Sequence, residues 1–303
     1  MQPERRAGTA SSEDSAVAKK KSKADDGRIG ELLRLPAGAV DLAAMDTRAT
    51  PGFSGSKSDS RDALAALEPE IADVQERLFA HGRSGGSRRL LLVLQGMDTS
   101  GKGGTMRHSV ALMDPQGVQT TAYGPPTAEE RRHDFLWRVR RRVPAPGMVG
   151  VFDRSHYEDV VIARVQELAA ANVIGRRYST INRFEQRLVE DGCAVVKVFL
   201  HISPEEQRDR LLARLDDPTK HWKYNPGDVD ERARWDDYRT AYEIALERCA
   251  TDAAPWHVVP ADRKWYRNWA VAALLLETLR DMALDWPPAD FDVDKERRRV
   301  EES

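Results

Sequence analysis

The chain has 303 residues, 41% hydrophobic and 32% charged, enough to bury a substantial core in one large domain or two small ones. A formal charge of -2 argues against a generally basic nucleic-acid binder, so any polyanion contact must come from local arginine clusters. Cys193 and Cys249 match no metal spacing and sit in apolar patterns, which predicts buried free thiols in a reducing cytoplasm; no signal peptide or membrane-length apolar run is expected.

Residues 1–45 are rich in Ser, Ala, Gly, Lys and Asp, which predicts a mostly disordered tail, above all over 1–26, with Leu32–Met45 apolar enough to dock. A domain is expected over 46–285 and a charged tail over 286–303. Leu64, Leu67, Ile71, Val74 and Leu78 recur at three- and four-residue steps, predicting a helix over Asp62–Phe79. Leu90–Leu94 read as a buried parallel strand that breaks at Gly96 into a glycine-rich turn. A helix over Met106–Leu112 and a strand over Val118–Tyr123 follow. Thr127 then caps an arginine-rich helix that Pro144 to Gly147 ends. Met148–Phe152 form a third strand, and Tyr178–Glu190 a helix. Cys193–Ile202 form a fourth strand. Ser203 and Pro204 start a further helix strongly, and the stretch 204–228 is expected to be a mobile lid. A helix over Val229–Cys249, a short strand over Trp256–Pro260 and a last helix over Lys264–Leu284 complete the chain. Strands alternating with helices imply an α/β fold: a three-layer, five-stranded parallel sheet with helices on both faces and a helical lid, with ligands at the strands' carboxyl ends.

Gly96, Gly101 and Lys102 fit G-x-x-x-x-G-K, in which inward-turned amides and a helix N-terminus cradle phosphate and the lysine reaches its oxygens. The phosphate-binding stretch is read as Gly96, Met97, Thr99, Ser100, Gly101, Gly103, Gly104 and Thr105. The ordinary loop places Ser or Thr after its lysine to hold Mg²⁺, whereas here Thr105 comes two residues late. Asp98 is the substitute oxygen ligand, and Asp153, at the end of the third strand, is the second carboxylate for the metal, its alternative being a helix cap. Arg154 beside it can stabilise phosphoryl oxygens; in the absence of that role it is a solvated charge. Arg210 and Arg214, four apart on the lid helix, could close over phosphate with Lys220 and Lys223 beyond, although interleaved acids also suit a solvated face. Arg131, Arg132, Arg138, Arg140, Arg141 and Arg142 form either a polyanion track or a solvated helix, the second preferred on the residues alone. His156 and His257 lack a partner histidine at ligand spacing, and Trp222, Trp235, Trp256, Trp265 and Trp269 are assigned to the core.

The ordered blocks LQGMDTSGKGGT, DPQGVQTTAYGPPT, FLWRVRRRVPAPG, GVFDRSHYEDVVIARV, HISPEEQ, HWKYNPGD and APWHVVPADRKWYRNW together resemble the polyphosphate kinase 2 family. The resemblance implies phosphoryl transfer from inorganic polyphosphate to AMP or ADP, reversibly and with Mg²⁺ or Mn²⁺. It implies that Asp98 and Asp153 hold the metal, that Lys102 and Arg154 bind the transferring phosphates, and that Arg210 and Arg214 clamp the chain. Expected partners are polyphosphate and AMP, ADP, ATP or other purine nucleotides, in a cytoplasmic homodimer or homotetramer, with no nucleic acid or membrane. The SHYED stretch at Ser155–Asp159 resembles the subgroup accepting both AMP and ADP, while Asp153 leaves the acceptor preference open. The alternatives are an ATP-dependent nucleotide kinase on the same fold and a non-enzymatic polyanion-binding module.

Overall fold

The computed structural model describes residues 27–303, so the disorder expected for 1–26 lies outside the described residues. The elements run α1 (Ile29–Leu33), α2 (Lys57–Arg83), β1 (Arg89–Gln95), α3 (Lys102–His108), β2 (Val118–Ala122), α4 (Trp137–Arg140), β3 (Val149–Asp153), α5 (Ile162–Val165), α6 (Ala171–Glu190), β4 (Cys193–His201), α7 (Pro204–Leu215), α8 (Gly227–Ala233), α9 (Trp235–Cys249), β5 (Trp256–Pro260), α10 (Lys264–Asp281) and α11 (Val293–Glu301).

The five strands pair in parallel in the order β2-β3-β1-β4-β5. Leu90–Leu94 are each 0% exposed, which for consecutive residues means that helices cover both faces of β1. One group of helices comprises α2, α3 and α10, the other α5, α6 and α9. Because the connections from β1 lead to one side of the sheet and those beyond β3 to the other, a crevice opens at the carboxyl end of β1, between β3 and β4. The loops after β1, β3 and β4 all meet there.

Several boundaries differ from expectation. Helix α2 begins earlier, because Ser56 and Asp59 form a reciprocal capping box, and it carries Pro69 within its length. The single arginine-rich helix is broken. Thr127 does cap a turn, exchanging hydrogen bonds with Glu130, but only the short 3₁₀ stretch Glu130–Arg132 and the one-turn α4 follow. The helix expected over Val229–Cys249 is two, divided at Arg234. In the expected N-terminal tail, Ile29, Leu33, Leu35 and Leu42 are buried in the core, and Leu35 N–H donates to Trp256 O (2.8 Å), covering the β5 edge. The C-terminal stretch contains α11, which its composition did not suggest. Both cysteines are buried and free. Trp256 is core, but Trp222 is 79% exposed with the Lys223 ammonium over its ring, so its core assignment is overturned.

Candidate active site

Strand β1 ends at Gln95 and the chain turns at once through Gly96, whose φ of 148° and closeness to Leu200 O leave no room for a side chain. Gly101 has φ 109°, and a Cβ there would come within 1.7 Å of Arg267 Nη1. Arg267 is buried against the back of the loop, and burial together with Arg210 pushes its guanidinium down to about 9. The hydroxyls of Thr99 and Ser100 are buried in the loop without a hydrogen-bond partner, polar atoms that an anion-binding loop would leave for a ligand.

Lys102 folds back over this turn, its Nζ donating to Gly96 O (2.9 Å) and Met97 O (3.4 Å). Burial, and then the Arg154 charge, lower its pKa, against the opposing pull of Asp98, Asp153 and Glu158. Arg154 donates through Nη2 to Asp98 Oδ1 (2.8 Å) and through Nη1 to Glu158 Oε2 (3.3 Å). Burial alone would lower the Arg154 pKa, but Glu158 and Asp98 outweigh it and raise it. The structure therefore brings together Asp98, Lys102, Asp153 and Arg154 as the sequence predicted. The donor set is two half-exposed, hard carboxylates; among the described residues no group of three or more His, Cys, Asp or Glu could cage a metal. That set fits Mg²⁺, which keeps several waters and is completed by substrate phosphates.

Two predicted residues do something else. Thr105 is fully buried and its hydroxyl lies on Gly101 O (3.3 Å), inside the first turn of α3, so it is no phosphate ligand. Arg210 is 7% exposed and does not line the cavity: Nη1 donates to Thr99 O and Ser100 O, Nη2 to Ala261 O and Asp262 O, and Nε to Glu206 Oε1. It pins the phosphate loop from behind, because the start of α7 lies against that loop and buries Gln207 and Arg210 there. Arg214, one turn on, reaches Asp228 Oδ2 (3.3 Å) and Lys223 O (3.0 Å), within the lid. The other arginine cluster does not form one track. Arg138 is buried, donating to Gly124 O and stacked over Tyr123, while Arg140 pairs with Asp134 and Arg141 covers Trp137.

The loop, Asp98 and Arg154 open into a cavity of about 840 Å³, within the range of small-molecule sites. Its walls combine Tyr123, Phe135, Ile162 and Trp235 with Arg131, Arg138, Arg177, Gln207 and Asp228. Sequence reasoning missed Glu158, a mostly buried carboxylate on the cavity wall whose pKa is raised by desolvation against the pull of Arg154 and Lys102. With its amide nitrogen turned toward Glu158, Gln95 donates to Oε1 (3.0 Å). The one available signal was its place four residues after Arg154 in a tight turn. It also missed Gln207, whose amide donates to Asp98 O (3.1 Å) and fixes the loop to α7, and Asp228, whose pKa burial and Asp98 raise.

The family model Polyphosphate kinase 2 (PPK2) matches residues 54–286. An AMP/ADP-polyphosphate phosphotransferase of Meiothermus ruber is 43% identical over 252 residues, 83% of this chain and 93% of that protein. An ADP-polyphosphate phosphotransferase of Rhodopseudomonas palustris is 39% identical over 260 residues, 82% of this chain and 88% of the relative. The crystal structure of Polyphosphate Kinase 2 from Arthrobacter aurescens TC1 superimposes with a TM-score of 0.89 at 56% identity, covering 91% of this chain and 98% of that one.

Proposed function

The chain belongs to the polyphosphate kinase 2 family, and from that premise we propose that it transfers the terminal phosphoryl group of inorganic polyphosphate to AMP and to ADP. The observation that carries the reading is the continuity of the phosphate loop, the Asp98–Arg154 pair and the nucleotide-sized cavity beyond them. The polyphosphate end lies on the loop, and the acceptor lies in the cavity with its phosphate toward Arg154. A phosphate oxygen of the acceptor attacks the terminal phosphorus in line, the bond to the chain's bridging oxygen breaks, and the shortened chain leaves. One phosphoanhydride of the chain is broken and one is formed on the acceptor, so the reaction runs in either direction with concentration.

Little covalent help is needed for such a transfer, and catalysis consists of positioning and charge neutralisation. Lys102 and Arg154 meet the oxygens whose charge grows at the transferring group. Asp98 holds Arg154 in place while leaving its second oxygen open. Asp98 and Asp153 would hold Mg²⁺, or Mn²⁺, which when bound supplies further neutralisation of phosphate oxygens. Arg214 joins from the lid as the chain is enclosed. The family match over 54–286 supports reading 46–285 as the phosphotransferase domain, with the lid expected over 204–228 confined to the part beyond Arg210, which is tied to the phosphate loop. Free buried Cys193 and Cys249 support a cytoplasmic setting, and among the described residues no helix is long and apolar enough to cross a membrane.

The test mixes purified protein with polyphosphate, Mg²⁺ and either AMP or ADP, and follows nucleotides by chromatography. ADP and ATP are the expected products, lost on chelation and restored by Mg²⁺. No product from either acceptor refutes the proposal, and product from ADP alone restricts it to the diphosphate.

A further inference from the structure

The turn after β3 carries two groups of the site, Arg154 and Glu158, and between them His156 and Tyr157 point into the interior, at 0% and 1% exposure. Glu185 of α6, also 0% exposed, receives both. Its Oε1 accepts from His156 Nε2 (3.0 Å) and from the Tyr157 hydroxyl (2.9 Å), and its Oε2 accepts from Lys197 Nζ of β4 (2.7 Å). His156 Nδ1 has no partner, which fits the tautomer with the proton on Nε2. Lys197 donates further to the Tyr157 oxygen (2.9 Å) and to Cys249 O (2.6 Å) at the end of α9. Burial opposes ionisation of Glu185, but Lys197 and His156 outweigh it and hold its pKa below the usual glutamate value.

A wholly buried ion pair contributes little to stability compared with apolar side chains of the same volume, and none of these four residues touches the cavity. What they touch is a strained turn. Arg154 has φ 63°, in the left-handed region that a long side chain rarely enters, so its backbone must be held on both sides. Upstream, Arg154 N–H donates to Leu94 O (3.1 Å) and ties it to β1. Downstream, the Ser155 hydroxyl is tied to the Gln95 side chain of β1 (3.0 Å), and beyond it the hold is the buried cluster.

We propose that the Lys197–Glu185 pair is a positioning device for phosphoryl transfer: through His156 and Tyr157 it fixes the strained turn that presents Arg154 and Glu158 to the transferring group. The inference rests on the reading that Arg154 meets that group. Lys197 and Glu185 are positioning residues, seated on β4 and α6.

The experiment removes the ties and leaves the ion pair whole. In His156→Leu/Tyr157→Phe, Glu185 keeps Lys197, and Lys197 keeps Cys249 O. A displacement of the Arg154 head by about 1 Å is expected to lower kcat by on the order of 10²-fold per folded molecule, with KM for polyphosphate and acceptor little changed. His156→Gln, whose amide nitrogen can stand at the Nε2 place, should recover most of the rate lost in His156→Leu. Tyr157→Phe alone, which removes one hydroxyl, secures a folded variant and should show a smaller fall in kcat. Folded variants turning over at the wild-type kcat, or a loss that follows melting temperature and is not recovered by glutamine, overturn the proposal. Arg154→Ala is measured alongside: wild-type turnover there removes the premise and the inference with it. A slow Arg154→Ala beside a full-speed double variant removes the inference alone.

Discussion

Arg210 offers the sharpest division between a residue that moves over substrate and one that holds the site from behind. Arg210→Met keeps an unbranched apolar stem and removes its five hydrogen bonds, to Glu206 and to the carbonyls of Thr99, Ser100, Ala261 and Asp262. The guanidinium is 7% exposed, so water cannot fully replace it, and Glu206 loses its partner at 2.7 Å. Breaking a buried pair of this kind destabilises by roughly 3–5 kcal/mol. For a domain of this size each kcal/mol lowers Tm by about 2–4 °C, so the fall should be about 6–20 °C. The assay is a thermal melt beside kcat measured well below the variant's own transition. Arg214→Met, whose arginine bonds only within the lid, should leave Tm nearly unchanged and lower kcat. An unchanged Tm in Arg210→Met together with a large loss of kcat would refute the staple and return Arg210 to the lid clamp that its sequence spacing suggested.

Lys102→Met should lower kcat by on the order of 10²–10³-fold while the protein remains folded by circular dichroism, because a donor aimed at transition-state charge is lost; turnover within a few-fold of wild type would remove Lys102 from the chemistry. Gly101→Ala, forced into φ 109° and onto Arg267, should be destabilised and inactive. By contrast Gly103→Ala, with nothing within 4 Å of its new Cβ, should gain about 0.4–1 kcal/mol in urea denaturation, and equal effects at the two glycines would count against the loop geometry. Burial holds the Glu158 carboxyl above its ordinary value of 4.5. As pH rises from 4.5 towards that raised value, the unfolded chain sheds its proton first, so wild type should lose stability relative to Glu158→Gln across this window. Denaturant melts at stepped pH giving the opposite slope would contradict the burial of that carboxyl.

The order of elements and the chemistry of the loop were legible in the chain because both are local. Leu90–Leu94 could only be a strand buried on two faces, and Gly96, Gly101 and Lys102 carry their turn and charge wherever the strand is placed. Ser203 and Pro204 started α7 as predicted, since a cap needs only its own neighbours. Spacing could not say which way a side chain faces once elements pack. Arg210 and Arg214 share a helix face by period, yet the loop after β1 comes to rest on the first two turns of α7 and buries only the nearer one. Thr105 lay two residues from its usual place and turned inward on Gly101, and the arginine-rich stretch from Arg131 broke where its aromatic side chains stack instead of continuing a helix. Glu158, only four residues from Arg154, meets Gln95 of β1 across the fold, and the Lys197–Glu185 cluster joins residues that are remote from His156 and Tyr157 in sequence. Only the parallel pairing of β1 with β3 and β4 brings them beneath one turn, where exclusion of water makes each charge depend on its neighbour.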